Sequence, residues 1–229
     1  FTPERTEAET RFIAASLVAP EGAEVLDLAC GVGRHAIGMA KRGFRVTGID
    51  FNPRYLEIAA ADAAQADVQV TWREGDMRAL GSVRMFDAAY SYFTSFGYFS
   101  DDDNERVLAE VARVLKPGGR FLLEMANRDH LLTHPEQRTW KQREDGALLM
   151  EETSVELETS RIVARQMLID PQGGTQVTKT YSLRTYTCAE LSALLRRHGF
   201  EVRAVSGGAD SEPYGLDSRR LAIAAERRG

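Results

Sequence analysis

Cysteine is scarce in this sequence: Cys30 and Cys188 are the only two in 229 residues. No disulfide framework can hold such a chain, and a reducing cytoplasmic compartment is the expectation. Long apolar runs are missing too. None approaches the length that spans a bilayer, and no secretory leader pattern is present, so no membrane partner is expected. Positive charge is in deficit, with 29 lysines and arginines against 34 aspartates and glutamates and a net charge of -5. Phosphate backbones are bound by clustered cations, so this balance argues against a nucleic-acid partner, short of one held in a local basic cleft. The chain has no internal repeat and no low-complexity tract. It opens on Phe1 rather than methionine, so a stretch preceding it is expected.

What remains is the composition of a globular protein, 43% hydrophobic and 28% charged, in a chain long enough for one core plus an elaboration. Residues 6–18 read as a helix with Phe12, Ile13 and Leu17 on one side, ended by Pro20 and Gly22. A short apolar strand at 25–28 leads into the glycine turn Cys30-Gly31-Val32-Gly33, and residues 35–42 are helical in pattern up to Gly43. A second strand, 44–49, ends at Asp50. Pro53 opens an alanine-rich helix that continues to Ala66, proline being well tolerated in a first turn. A third strand is predicted over 68–72 and a fourth over 86–90. Asp101, Asp102 and Asp103 begin the next helix, where acids complement its positive end. Lys116-Pro117-Gly118-Gly119 places proline and glycine as a type II turn requires, ahead of a fifth strand at 121–125.

Strands and helices thus alternate from Val25 to Met125, the pattern of a doubly wound, mostly parallel α/β sheet with helices on both faces. From Arg128 the pattern changes. Residues 148–158, 161–170 and 176–185 predict an inserted three-stranded antiparallel sheet, its strands separated by Thr159-Ser160 and Pro171-Gln172-Gly173-Gly174. A helix at 189–197 returns the chain to the core. Strands at 200–205 and 220–225 lie too close together for a helical crossover, so the last strand of a seven-stranded sheet should run antiparallel. The organisation expected is a core of residues 1–127 and 187–229, with 128–186 inserted as a substrate lid or a contact between two subunits of a homodimer.

Gly31-Val32-Gly33-Arg34-His35-Ala36 fits the dinucleotide fingerprint, with alanine at its final position. Asp50, at the end of the second strand, can accept both ribose hydroxyls of any adenosine cofactor, so a nicotinamide-dependent oxidoreductase stays open here. Asp27, at the tip of the first strand, distinguishes the candidates. It would repel a pyrophosphate in the adjoining turn, whereas S-adenosylmethionine has no phosphate and carries an ammonium group.

Val25-Leu26-Asp27-Leu28-Ala29-Cys30-Gly31-Val32-Gly33-Arg34 resembles the first motif of class I S-adenosylmethionine-dependent methyltransferases. Ile49-Asp50-Phe51-Asn52 resembles their ribose motif, Glu74-Gly75-Asp76-Met77 their adenine motif, and Leu115-Lys116-Pro117-Gly118-Gly119 the turn before their fifth strand. The resemblance implies that Asp27 and the backbone of Cys30, Gly31 and Gly33 hold the methionine moiety, with Arg34 bracing its carboxylate. It implies further that Asp50 holds the ribose, that Phe51 packs on the adenine, and that Asp76 and the Met77 backbone meet the adenine edge. S-adenosylhomocysteine is the implied product. A cofactor-binding scaffold without turnover shares these motifs.

Ligands of open α/β sheets lie beyond the carboxyl ends of the strands. The fourth strand leads there into Ser91-Tyr92-Phe93-Thr94-Ser95-Phe96-Gly97-Tyr98-Phe99, where Tyr92 or Phe93 can face the sulfonium and Tyr98 can hydrogen-bond the acceptor. The connection before the last strand brings Asp210, Glu212, Tyr214, Asp217, Ser218 and Arg219 to the same rim, with Tyr214 the second residue expected to position the acceptor. Asn127, Arg184, Tyr186 and Arg219 are the expected acceptor contacts. His35 sits in the first helix after the glycine turn and makes a poor base. His130 and His134 have a helical metal-ligand spacing, but Pro135 follows and no further ligand pattern appears, so no metal is expected. The aromatic loop and inserted sheet most resemble small-molecule methyltransferases acting on N or O atoms. The nucleic-acid amino-methyltransferase signature is missing, Ser91-Tyr92-Phe93-Thr94 standing in its place.

Overall fold

A computed structural model describes residues 2–82, 85–134, 138–143, 145–170, 176–209 and 213–229. Asp210, Glu212, Pro135 and the turn at 171–174 lie outside them. The chain forms two sheets. The larger is built from β1 (Glu24–Leu28), β2 (Arg45–Asp50), β3 (Thr71–Glu74), β4 (Phe86–Ser91), β5 (Leu115–Ala126), β10 (Phe200–Ser206) and β11 (Arg220–Arg227), in the order β10-β11-β5-β4-β1-β2-β3. Only β11 runs antiparallel to its neighbours β5 and β10. Strand order reverses between β1 and β4, and that reversal opens the crevice where such sheets take ligands.

Helices cover both faces. On one, α1 (Pro3–Leu17) and α2 (Arg34–Ala40) bury Ile13, Leu17, Ala36 and Met39 against Val25, Val46, Ala88 and Tyr90, with α3 (Pro53–Gln65) beside α2. On the other, α4 (Asp101–Val114) and α6 (Cys188–Arg197) bury Val107, Leu108, Val111, Leu191 and Leu195 against Leu26, Leu28, Phe121 and Leu123. Central β1 is therefore apolar on both sides from Val25 onward except at Asp27.

Several local expectations shift. α1 begins at Pro3 rather than residue 6, because Thr2 caps it by accepting from the Arg5 amide at 3.3 Å. β3 starts at Thr71, not residue 68. Thr71 pairs with Thr47, so Val68 would fall opposite Phe44, ahead of the first residue of β2. The turn at 116–119 forms a bulge within β5, with Gly118 at φ 76 as its type II geometry requires.

The inserted sheet has four strands, not three: β6 (Arg138–Gln142), β7 (Leu148–Glu156), β8 (Arg161–Ile169) and β9 (Gln176–Arg184), all antiparallel and in sequence order. The extra strand, Arg-Thr-Trp-Lys-Gln, is an exposed edge that buries no face, so no alternation marks it in the sequence. A short helix, α5 (Arg128–Thr133), precedes it. Among the described residues no helix is long and apolar enough to cross a membrane.

Candidate functional site

The glycine turn is folded by its own backbone. The Cys30 amide donates to the Ile49 carbonyl at 3.0 Å and the Gly33 amide to the Cys30 carbonyl at 3.0 Å. Gly33 adopts φ +76, and a Cβ there would lie 2.4 Å from the indole of Trp72 and 2.9 Å from the Ala59 Cβ. The turn is thus seated on the Trp72 ring, a residue the sequence motifs do not mark.

Two carboxylates converge beside it. Asp50 is buried; its Oδ2 accepts from the Gly31 amide at 2.8 Å and its Oδ1 from the Asn52 amide at 2.9 Å. It thereby joins the glycine turn to the loop carrying Phe51, whose ring is 75% exposed. Asp27 is buried as well, its Oδ2 accepting from the Tyr90 hydroxyl at 2.8 Å. Burial first, and then the nearby Asp50 charge, push its carboxyl up to about 7 against the pull of the Tyr90 bond. No ion pair neutralises it among the described residues. Such a pair of acids suits a ligand with an ammonium group and a sugar diol, and opposes a pyrophosphate.

Arg34 and His35, at the start of α2, turn toward α1. Arg34 Nη1 and His35 Nε2 both meet Glu9 Oε2, the histidine at 3.0 Å, while Arg5 Nε reaches Oε1 at 2.9 Å. Burial works to raise the Glu9 carboxyl, but these donors prevail and hold it at about 2. Burial lowers the His35 imidazole. Tyr92 packs edge-on against His35 at 5.1 Å. Phe93 follows with φ 64 and Thr94 with φ 59, two consecutive residues in a region costly for anything but glycine. The turn is held from below, where Glu124 Oε2 accepts from the Phe93 amide at 2.6 Å and Arg220 Nη2 donates to Thr94 Oγ1 at 2.7 Å and to Glu124. The guanidinium groups of Arg34 and Arg220 each lie 5.3 Å from the Phe93 ring centre.

The adenine motif has its own clamp. Arg78 grips both oxygens of Asp76, its Nη2 at 2.6 Å, donates to Asp103 at 3.0 Å, and lies 4.3 Å over the Phe99 ring. The Arg78 bond holds the Asp76 carboxyl below its usual range. Met77 packs against the core beneath.

The residues expected to meet the acceptor divide. Tyr98 is exposed and faces the inserted sheet, its ring 6.0 Å from that of Tyr181. Tyr214 donates toward Asn127 and Asp129 at 3.2 Å each, and burial pushes its phenol up to about 12. Asn127 is buried, with its amide donating to the Gly215 and Ser218 carbonyls and its Oδ1 capping α5, so its side chain is committed to holding this rim. Arg184 lies between Asp101 and Glu190 and over the Tyr186 ring, while buried Tyr186 accepts from Asn104 at 3.3 Å. Both tie the insertion to the core. Arg219 is exposed and Arg220 points inward instead. Alternation along β11 puts Arg220 on the face of buried Ala222, whose register partner on β5 is Glu124. His130 and His134 stack at 4.1 Å and bond backbone carbonyls, and among the described residues no group of His, Cys, Asp and Glu is placed to hold a metal.

Replacing Asp50 by alanine is expected to weaken S-adenosylhomocysteine binding by roughly 1.5–3 kcal/mol, the worth of bonds to a charged group. Calorimetry reads this directly, and unchanged affinity would remove Asp50 from the site.

A family described as a methyltransferase domain matches residues 25–119. The cypemycin N-terminal methyltransferase of Streptomyces sp is 28% identical over 213 residues, covering 90% of this chain and 84% of that one. The structure of the CcbJ methyltransferase from Streptomyces caelestis superposes with a TM-score of 0.85 at 20% identity, over 99% of this chain and 91% of that one. That of CalS10 with S-adenosylmethionine bound, an amino pentose methyltransferase from Micromonospora echinaspora, gives 0.69 at 24% identity over 98% and 90%.

Proposed function

This chain is a class I S-adenosylmethionine-dependent methyltransferase, and on that premise we propose that it methylates a nitrogen or oxygen atom of a small-molecule acceptor. The observation supporting this reading is the join between the inserted sheet and the loop that follows β4 at the carboxyl end of the parallel strands. The aromatic loop after β4 is tied to the inserted sheet by main chain, the Arg184 amide donating to the Gly97 carbonyl at 2.8 Å, and Arg161 Nη2 adds a bond to the Phe99 carbonyl at 3.1 Å. A Cβ on Gly97 would come within 2.4 Å of the Arg184 carbonyl oxygen, so the two backbones meet with no side chain between them. An insertion held there as a lid would exclude a folded protein or a duplex and admit a metabolite. Relatives that methylate a peptide N-terminus or an amino pentose point the same way.

When bound, S-adenosylmethionine supplies a methyl group already activated on a sulfonium. The groups proposed to hold it are Asp27 for the ammonium, Asp50 for the ribose, Phe51 and Asp76 for the adenine, and the amides of the glycine turn. The protein's remaining task is to align the acceptor and keep out water. The strained Phe93-Thr94 turn, fixed by Glu124 and Arg220, presents its aromatic side to that space. Calorimetry with S-adenosylhomocysteine and with nicotinamide dinucleotides should show the first binding and not the second; the reverse would end this reading. Labelled methyl donor added to a cell extract with the enzyme should mark a low-molecular-weight product, and label confined to protein or nucleic acid would sink the small-molecule proposal.

A further inference from the structure

The inner face of the inserted sheet carries a carboxylate, Glu151, that makes no ion pair among the described residues. Glu151 of β7 stands opposite Gln166 of β8, and Tyr181 of β9 lies one pleat along, opposite Ala164. With a period of two, these residues share the face of Ile162, Ala164 and Leu183, which are buried, while Glu152, Ser154 and Arg165 point out and are exposed. Glu151 Oε2 accepts from Gln166 Nε2 at 2.6 Å and from the Tyr181 hydroxyl at 3.1 Å. Oε1 takes no hydrogen bond among the described residues, and Glu151 makes no ion pair among them. Two lysines share this face, Lys141 diagonal to Glu151 on β6 at about 7–8 Å and Lys179 two strand spacings away on β9 at about 10 Å, and neither makes an ion pair with it among the described residues. The Tyr98 ring reaches over from the loop after β4 to lie 6.0 Å from Tyr181 at 40°.

We infer that this face recognises a protonated amine of the acceptor, with Glu151 taking its N–H and the rings of Tyr98 and Tyr181 flanking the charge. The inference rests on the small-molecule methyl-transfer reading and narrows its substrate class. Two aromatic faces beside a carboxylate are the chemistry that recognises ammonium groups. The bonds from Gln166 and Tyr181 fix the carboxylate before any ligand arrives, so little ordering is left for binding to supply. Burial, seconded by the Glu151 charge, raises both phenols, so Tyr98 and Tyr181 stay neutral and do not compete for the ligand's charge. A carboxylate partner also raises the proton affinity of the amine it holds. The amine seated here therefore keeps its proton and lacks a free lone pair. It is the handle that orients the acceptor, and the atom methylated is a different one.

The test titrates benzylammonium, and benzyl alcohol as its neutral counterpart, into enzyme loaded with S-adenosylhomocysteine, read by NMR shift changes. The expected result is saturable benzylammonium binding at least tenfold tighter than that of the alcohol. Glu151→Gln should lose that preference with S-adenosylhomocysteine affinity unchanged, and Glu152→Gln, on the outer face, should keep it. Tyr98→Leu removes one wall at an exposed position and should weaken benzylammonium about two- to fivefold, the range for an exposed cation–π contact. Equal binding of the two probes, or a full preference retained in Glu151→Gln, overturns the inference. Failure of S-adenosylhomocysteine to bind at all counts against the methyl-transfer reading instead, and benzylammonium titrated into the ligand-free protein then still reads the Glu151 site.

Discussion

Asp27→Asn is expected to make the ligand-free protein more stable while abolishing cofactor binding. The carboxyl titrates near 7 in the fold, against a value near 4 in the unfolded chain. Between about pH 4 and 7 the folded form keeps a proton that the unfolded form releases. Stability therefore falls as pH rises, by about 1.4 kcal/mol per unit, reaching about 4 kcal/mol once the folded carboxyl has ionised. Asparagine has the same shape, can accept from Tyr90, and carries no charge to desolvate. Allowing for imperfect partners for its amide, the gain at pH 8 should be on the order of 2–3 kcal/mol, or roughly 5–10 °C in melting temperature for a chain of this size. The gain should vanish below about pH 3, where the wild-type carboxyl is protonated in both states. Cofactor affinity should drop at least a hundredfold, since an ammonium would be left buried without its partner. The wild type should bind S-adenosylhomocysteine more weakly as pH falls below 7, taking the cofactor only after losing a proton. A binding isotherm flat from pH 5.5 to 8, or a variant less stable than wild type at pH 8, would contradict this account of Asp27.

Gly33→Ala should be the more damaging of the two alanine substitutions in the glycine turn. The φ of +76 costs an alanine about 1–2 kcal/mol. The new Cβ would also stand 2.4 Å from the Trp72 ring and 2.9 Å from Ala59, overpacking that costs typically 1–3 kcal/mol more. A fall of roughly 10 °C in melting temperature, with cofactor binding lost, is the expected result. Gly31→Ala makes the sharper comparison. Its φ is also positive, at +55, but nothing lies within 4 Å of the added carbon, so only the backbone penalty applies. Adding Trp72→Val to Gly33→Ala should recover the indole's share of the steric cost and leave the Ala59 contact and the conformational part. If the Gly31 and Gly33 variants melt alike, the indole is not what seats the turn.

The parts of this molecule legible in its sequence are those whose partners lie close along the chain or follow a period. The strand–turn–helix from Val25 to Arg34, Asp50 at the end of β2 and the capped start of α4 each carry their signal within about ten residues. The reversed last strand followed from a connection too short to cross over. What escaped depends on contacts between distant segments. Glu9 is one acid among several on α1 until α2 presents Arg34 and His35 to it. Arg78 reads as a surface cation until Asp103 and Phe99 close around it. Arg219 is read from sequence as the last residue of the rim connection and Arg220 as the first of the strand, and only the register of β11 on β5 puts Arg220 on the face of Glu124. Val68 to Val70 have the composition of a strand but no neighbouring strand beside them. Glu151 is equally silent in sequence, since Gln166 and Tyr181 reach it across two strand pairings.

The seam between the insertion and the core has a consequence for how such an enzyme changes over generations. At Gly97 and Arg184 the join is made by backbone atoms, which every sequence possesses, and the residues proposed to hold the methyl donor belong to the core rather than the insertion. Substitutions that redraw the inner face of the insertion therefore leave the join and the methyl-donor apparatus as they were. The insertion can drift, or be exchanged whole, as a cassette that inherits its chemistry from the core and writes its own preference for what is methylated.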